Sequence, residues 1–248
     1  MKTVDTQDKD LPFYVPCRTL SFSAPFSWLK KGWQDFRRVP WHSMTYGGIF
    51  ACIGWALVHL SFAYESYLMV GVLFSVLIIG PALAFGLYDT SKQLEQNQAP
   101  TFKHERGKAL REMGHELMLM LMMGAAYLFL LIFVSMLTSI GHDPAVSAVV
   151  PVSDTASLSI TVIIAGLLFF VSIFALPMIL DQDASAMTAL NTSLNAVWCN
   201  KSAIALWALL IVLLAAIGIA TALVGFVLIV PVIGYATWHA YRETVMAT

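Results

Sequence analysis

Residues 202–240 read SAIALWALLIVLLAAIGIATALVGFVLIVPVIGYATWHA and contain no Asp, Glu, Lys or Arg. A helix needs about 20 apolar residues to cross the hydrocarbon core of a bilayer, so this stretch is close to twice the length of one span. Inside hydrocarbon, a single chain segment satisfies its own backbone hydrogen bonds only as a helix. The stretch therefore predicts two membrane helices joined by a tight turn near Gly218 and Thr221.

Four further uncharged stretches of similar length precede this pair. Hydrophobic residues make up 58% of the 248 residues and charged residues 12%, which is about half the charged fraction of a typical soluble domain. The predicted fold class is an all-α polytopic membrane protein with a tail at 1–26, a membrane domain at 27–242 and a second tail at 243–248. The six predicted transmembrane helices are about 45–63, 66–88, 117–139, 157–180, 202–218 and 219–240.

The basic residues predict the orientation of the spans. All 14 Lys and Arg residues precede span one, follow span six, or lie between spans two and three or spans four and five. These segments share one side of a six-span topology, whereas the opposite loops hold Glu65, Asp143 and Asp154 and no basic residue. Positively charged loops stay in the cytoplasm, so both termini are predicted to be cytoplasmic.

The sequence contains an internal repeat. Residues 27–40 (SWLKKGWQDFRRVP) and 188–201 (TALNTSLNAVWCNK) each precede a pair of spans. Both pairs close alike, with Pro81 and Pro231 eight residues before the polar end of the last helix. The central pair is predicted to be a degenerate third unit. The spans are therefore predicted to form helical hairpins, each preceded by a short amphipathic helix at the cytoplasmic interface, with parallel repeats.

The first repeat begins with an amphipathic segment. At about 100° per residue, one arc of residues 27–39 is aromatic and aliphatic and the other is basic. Such a helix typically lies in the headgroup layer, and its basic side faces anionic lipids. The alternative is a docking surface for a partner or a specific lipid headgroup. The predicted membrane-interface residues are Trp28, Lys30, Lys31, Trp33, Phe36, Arg37 and Arg38.

Three prolines, Pro81, Pro177 and Pro231, fall inside predicted spans near their cytoplasmic ends. Proline removes a backbone donor and clashes with the preceding turn, so each is predicted to kink its helix. Kinks at matching positions in related hairpins can gather freed carbonyl groups around a solute cavity. The alternative is that these prolines serve helix packing only, since proline is frequent in membrane helices generally.

Three histidines are candidates for binding haem or another ligand. His59 lies inside span one, and His42 and His239 flank spans one and six on the same side. A haem needs an axial pair of ligands that face each other, and the alternative for each residue is a hydrogen-bonded packing histidine. The sequence has no metal-ligand spacing, nucleophile motif or paired intramembrane carboxylates. No catalytic residue, metal or cofactor is therefore predicted, and the protein is not expected to be an enzyme.

Four motifs carry a family resemblance: WLKKGWQDF at 28–36 with Pro40, GPALAFGLYD at 80–89, LPMILD at 176–181 and PVIGYATWHAY at 231–241. Together they resemble an uncharacterised family of bacterial six-span integral membrane proteins, the domain of unknown function 2189. The resemblance covers about 26–242. It implies a bacterial inner membrane and, through names used in the family, an accessory role beside a respiratory complex. It implies no reaction and no catalytic residue.

The functional hypothesis is a non-enzymatic accessory or scaffold subunit that binds membrane lipids, another integral membrane protein or a respiratory complex. The alternative is a transporter or channel for a small solute, with a site among the proline-kinked spans. A third hypothesis is a haem- or quinone-associated respiratory subunit that uses the candidate histidines. The net charge of −1 gives no general attraction to nucleic acid, and no nucleic-acid partner is predicted.

Overall fold

A computed structural model describes residues 14–63, 83–100, 173–182 and 184–245 of the chain. Within these ranges the protein has seven helices and no strand, as expected for the predicted all-α class. In chain order the helices are α1 (Ala24–Arg38), α2 (Pro40–Ala63), α3 (83–95), α4 (Ala175–Gln182), α5 (Ala186–Cys199), α6 (Lys201–Ala220) and α7 (Phe226–Thr244).

The uncharged stretch at 202–240 forms two helices, α6 and α7, that are separated by a turn. In this turn Ala222 and Leu223 have positive φ angles of 51° and 70°. The Thr221 hydroxyl accepts a hydrogen bond of 2.9 Å from the Gly225 N–H, which closes the turn. Helix α7 therefore begins several residues after the predicted start of span six.

Of the described helices, α6 is long and apolar enough to cross a membrane by itself. Helix α2 contains the predicted span at 45–63. The predicted spans at 66–88, 117–139 and 157–180 lie wholly or mostly outside the described residues. The count of six spans therefore stays a prediction.

In the two repeat units the short helices end, and the long helices begin, at equivalent residues. Val39 separates α1 from α2, and its repeat equivalent Asn200 separates α5 from α6. The buried positions of the two short helices also coincide: Trp28, Gly32 and Asp35 in α1, and Ala189, Ser193 and Ala196 in α5. Each unit is thus a short helix joined through one residue to a long helix.

The ends of α1 follow from its sequence. Pro25 lies in the first turn, where a missing backbone donor leaves no intrahelical hydrogen bond unmade. The helix ends at Arg38 because Pro40 disfavours helical backbone angles at Val39. Arg37 and Arg38 occupy the last turn, where positive charge compensates the negative end of the helix dipole.

Helix α7 is the central helix of the described structure and packs against α1 and α2 at glycines. A methyl group at Gly32 would lie 2.6 Å from the Val232 carbonyl oxygen, and one at Gly47 would overlap the Val227 carbonyl. Pro231 has no N–H and therefore donates no hydrogen bond to the carbonyl of Val227, four residues earlier. The Val227 carbonyl can accept the close approach of Gly47 instead. Proline in α7 and glycine in α2 therefore form a complementary helix crossing.

The N-terminal segment at 14–21 contacts the end of α7 and the residue that follows α5. The Arg18 N–H donates to the Thr244 carbonyl at 2.8 Å. The Asn200 side chain accepts a hydrogen bond from the Leu20 N–H at 2.7 Å and donates one to the Arg18 carbonyl at 2.9 Å. Helices α5 and α7 are therefore tied together through this N-terminal segment.

We expect Gly47→Ala to lower the stability of the protein by about 1–3 kcal/mol, because overpacking at a close crossing forces the two backbones apart. The measurement is the apparent melting temperature in lipid nanodiscs. Gly48→Ala is the matched control, since a methyl group there meets nothing within 4 Å and alanine favours the helix. Equal melting temperatures for the two variants would contradict the crossing.

Candidate functional site

A group of charged and polar side chains lies where α1, α3, α4 and α7 meet. Every carboxylate in it faces a Lys, Arg or His side chain, and every one of the four helices contributes a charged residue. We call this group the charge cluster, and its members are Asp35, Ser91, Lys92, Glu95, Asp181, His239, Tyr241 and Arg242.

Asp35 is the buried centre of the charge cluster, with 5% of its surface exposed. Its Oδ2 accepts a hydrogen bond of 2.7 Å from the Ser91 hydroxyl and lies 2.7 Å from His239 Nε2. Its Oδ1 lies 3.8 Å from Arg38 Nη1. A buried carboxylate is tolerated only when it is paired and hydrogen-bonded, and these contacts provide that compensation.

The other edge of the His239 ring continues the charge cluster. Its Nδ1 lies 3.6 Å from Glu95 Oε1, and the second Glu95 oxygen lies 3.3 Å from Arg242 Nε. Arg242 Nη1 then donates to Asp181 Oδ2 at 3.1 Å. Acidic and basic groups therefore alternate from Asp35 to Asp181.

Asp181 is held by both α3 and α7. Lys92 Nζ lies 3.3 Å from Asp181 Oδ1, and the Tyr241 hydroxyl donates to Asp181 Oδ2 at 3.0 Å. Burial raises the pKa of Tyr241, and the negative charge of Asp181 raises it further, so the phenol stays a protonated donor. Lys92 and Arg242 follow Pro81 and Pro231 by the same interval, so equivalent residues of the two repeat units hold the same carboxylate.

The geometry of the charge cluster suits it to hold helices together. Asp35 and Glu95 lie on opposite edges of the His239 ring, so these three groups do not converge on one point. In the part of the chain that the structure describes, no group of three His, Cys, Asp or Glu side chains could hold a metal ion. The cluster therefore fixes α1 against α3, α4 and α7.

Aromatic contacts also fix the inner face of α1. Trp28 is fully buried, packs edge-on against Trp207 with 5.7 Å between ring centroids, and donates from Nε1 to Glu243 at 3.0 Å. Phe36 is buried in a cluster with Tyr235. Trp28 and Phe36, two of the predicted membrane-interface residues, therefore face the protein interior.

The outer face of α1 carries the other predicted interface residues. Trp33 is 45% exposed, and its ring stacks on Phe36 with ring centroids 5.3 Å apart. Contact of this face with a bilayer or a partner stays a prediction. Its exposed members are Lys30, Lys31, Trp33, Arg37 and Arg38.

Two exposed tryptophans beside the joints of the repeat units are not among the predicted interface residues. Trp41 at the start of α2 is 82% exposed, and Trp198 near the end of α5 is 73% exposed. Lys201 Nζ lies 3.5 Å from the centroid of the Trp198 ring. The signal was present in the sequence, because both residues lie two positions from a joint, and tryptophan is enriched at membrane–water interfaces.

Asp35 is likewise not among the predicted site residues. Its signal is positional: it follows Trp28 by seven residues, or about two helical turns, and so lies on the same face of α1. An acidic residue on the apolar arc of a basic helix indicates a buried partner. The identity of that partner, His239, comes from a segment 204 residues away.

The structure places the three candidate histidines in different surroundings. His42 Nε2 lies 3.0 Å from the Thr90 hydroxyl. His239 lies between two carboxylates of the charge cluster, so both of its ring nitrogens are engaged. His59 is exposed, and its Nδ1 faces the backbone of its own helix at 3.1 Å. Binding of haem or another ligand by these residues stays a prediction.

Pro177 and Pro231 are buried in helices α4 and α7, whereas Pro81 lies outside the described residues. Pro231 leaves the Val227 carbonyl without an intrahelical donor, and Gly47 of α2 approaches this carbonyl. At this position proline supports helix packing. A solute cavity lined by the three prolines stays a prediction.

The apolar helices and their exposed side chains are typical of an all-helical integral membrane protein, and α6 alone exposes Leu209, Val212, Leu213 and Ile217. Residues 68–181 match the model of a family described as predicted integral membrane protein, DUF2189. This is the family that the sequence motifs resemble, and the match agrees with that resemblance. A bacterial source and a count of six spans stay predictions. Within the match, the structure describes 83–100 and 173–181. No curated protein and no solved structure matches the chain.

We expect Asp35→Ala to destabilise the protein by about 3–5 kcal/mol, because it leaves buried partners without their carboxylate. The measurement is unfolding by heat or denaturant in nanodiscs. The control is Lys31→Ala, which removes an exposed ion pair of 3.5 Å with Glu243 and should cost about 0–1 kcal/mol. Similar losses in the two variants would contradict the central role of Asp35.

We expect His42 to make the protein less stable in mild acid. Burial lowers the pKa of His42 below its usual 6.5, although the nearby Asp89 charge raises it. As pH falls, His42 is therefore protonated in the unfolded chain before it is protonated in the folded protein. The stability present above about pH 6.5 is lost as pH falls through the lower pKa of the folded state.

The measurement is the fall in apparent melting temperature between about pH 7.5 and pH 5.5. His42→Gln should show a smaller fall than the wild type. The matched control is His59→Gln, which changes an exposed ring of the same helix and should retain the wild-type fall. An unchanged pH dependence in His42→Gln would show that other groups cause it.

Proposed function

We propose that the protein is a non-enzymatic accessory or scaffold subunit that binds lipid or another membrane protein through the outer face of α1. The contrast between the two faces of this helix supports the proposal. Asp35 and Trp28 hold the inner face in the protein interior, whereas Trp33 and the basic residues of the outer face are exposed. A surface that is fixed before binding loses little conformational freedom when a partner binds.

The charge on α1 favours an anionic partner. The single acidic residue of the helix, Asp35, is buried beside His239 and meets one of the four basic residues, Arg38, at 3.8 Å, so the helix keeps a net positive charge. Each basic residue near an anionic membrane surface contributes about 1 kcal/mol of attraction. In the predicted orientation, this face lies on the cytoplasmic side of a bacterial inner membrane. A respiratory complex is the protein partner that the family resemblance suggests.

Helix α5 offers a second, uncharged surface. Met187 and Leu194 are exposed in α5, and their equivalents by the same repeat offset, Phe26 and Trp33, are exposed in α1. The two units thus expose apolar residues at matching positions, but α5 contains no Lys or Arg. We assign electrostatic recognition to α1 and apolar anchoring to α5.

A photo-crosslinking amino acid in place of Trp33 tests this function in intact membranes. We expect discrete adducts with a lipid or a protein, and their loss when Lys30 and Arg37 are both changed to Glu, because the attraction is then reversed. The matched control places the crosslinker at Trp55, which is exposed on α2. Its adducts should not depend on the charge of α1.

Two results together would contradict the proposed function. One is a set of adducts at position 33 that matches the set at position 55 and survives the charge reversal. The other is purification of the protein without a bound partner or retained lipid in every mild detergent. A hydrated cavity among the kinked helices would then favour the transporter hypothesis.

A further inference from the structure

We propose that Gln34, Arg37 and Arg38 bind the phosphate of an anionic phospholipid headgroup, an inference that rests on the proposed function and names the ligand of the same surface. The three side chains line an open surface depression at the last turn of α1. Residues three and four positions apart share one face of a helix, so the three side chains project to the same side.

The guanidinium groups have donors available for a new anion. The Arg38 side chain is 61% exposed, and it lies 3.8 Å from Asp35 Oδ1, a longer distance than a charge-assisted hydrogen bond. The other oxygen of Asp35 is already engaged by Ser91 and His239. One contact of this length cannot satisfy the five donors of a guanidinium group.

The chemistry of the three side chains fits a phosphate. Arginine presents a planar fork of donors that matches two phosphate oxygens at once, and the Gln34 amide adds a neutral donor. The site lies at the C-terminal end of α1, where the helix dipole is negative and does not itself attract anions. Binding must therefore come from Arg37 and Arg38 rather than from the backbone.

Neighbouring apolar residues favour a lipid over free phosphate as the source of the anion. Trp33 precedes the site and is exposed, and Trp41 and Met44 are exposed where α2 begins just beyond it. Tryptophan rings typically lie at the level of lipid headgroups. A bound phospholipid can place its phosphate on Arg37 and Arg38 and its acyl chains along α2, whereas inorganic phosphate makes no use of the apolar residues.

Native mass spectrometry of the full chain with added phosphatidylglycerol or phosphatidylcholine tests the site. We expect phosphatidylglycerol to bind preferentially, and R37Q/R38Q to weaken its binding about tenfold. R37K/R38K keeps the charge but loses the planar fork, so its loss should be smaller. The comparison variant K30Q/K31Q removes the same charge from the other half of the outer face, and it should lose less binding than R37Q/R38Q because it reduces only the general attraction of the surface.

Several results would overturn the proposal. An equal loss in K30Q/K31Q and R37Q/R38Q would indicate diffuse attraction to the surface of α1 and leave the proposed function intact. Competition by equimolar inorganic phosphate would assign the site to free phosphate. Crosslinked adducts at position 33 without any preference for phosphatidylglycerol would leave α1 as a protein-binding surface. Absence of both the adducts and the lipid preference would contradict the proposed function as well.

Stability of the variants is checked by melting temperature, which should match the wild type because the altered side chains are exposed. If R37Q/R38Q melts at a lower temperature, the single variant R37Q decides the outcome, since it leaves the Arg38–Asp35 contact in place. Wild-type binding of phosphatidylglycerol by R37Q would then overturn the proposal.

Discussion

The carboxylate of Asp35 is buried where helices meet, and a buried charge is tolerated only while its partners stay in place. Ser91 and His239 provide those partners from α3 and α7. Basic residues of the same two helices extend the network to Asp181 in α4. Separation of these helices would leave charged groups unpaired in the protein interior. The position of α1 therefore depends on this network, and so does the orientation of its exposed outer face.

Backbone chemistry adds a second constraint at the other end of α7. Pro231 leaves the Val227 carbonyl without an intrahelical donor, and Gly47 has no side chain to keep α2 away from it. The close crossing near the start of α7 and the charge cluster near its end hold the helix at two separate points. Because α1 packs along the same helix at Gly32, its path is set by α7 as well.

The two described repeat units show which features of the unit are structural and which are specific. The helix end at the joint, several buried positions and two exposed apolar positions agree between α1 and α5. The basic residues do not, since α1 ends in Arg37 and Arg38 and α5 has no basic residue. The features that the two units share belong to the joint between a short and a long helix. The charge of α1 is the property that distinguishes the first unit, and it motivates the proposed lipid site.

The sequence by itself determined the helical class, the division of 202–240 into two helices, and the matching joints at Val39 and Asn200. Each of these depends on local properties, namely apolar length, missing charge, proline position and repeat register. Tertiary structure decided which side of α1 meets protein. Trp28 and Trp33 are the same residue type, and only packing against Trp207 and Glu243 buries the first of them. The charge cluster is likewise a tertiary product, because its ion pairs join residues far apart in the chain, and no local pattern specifies such pairs.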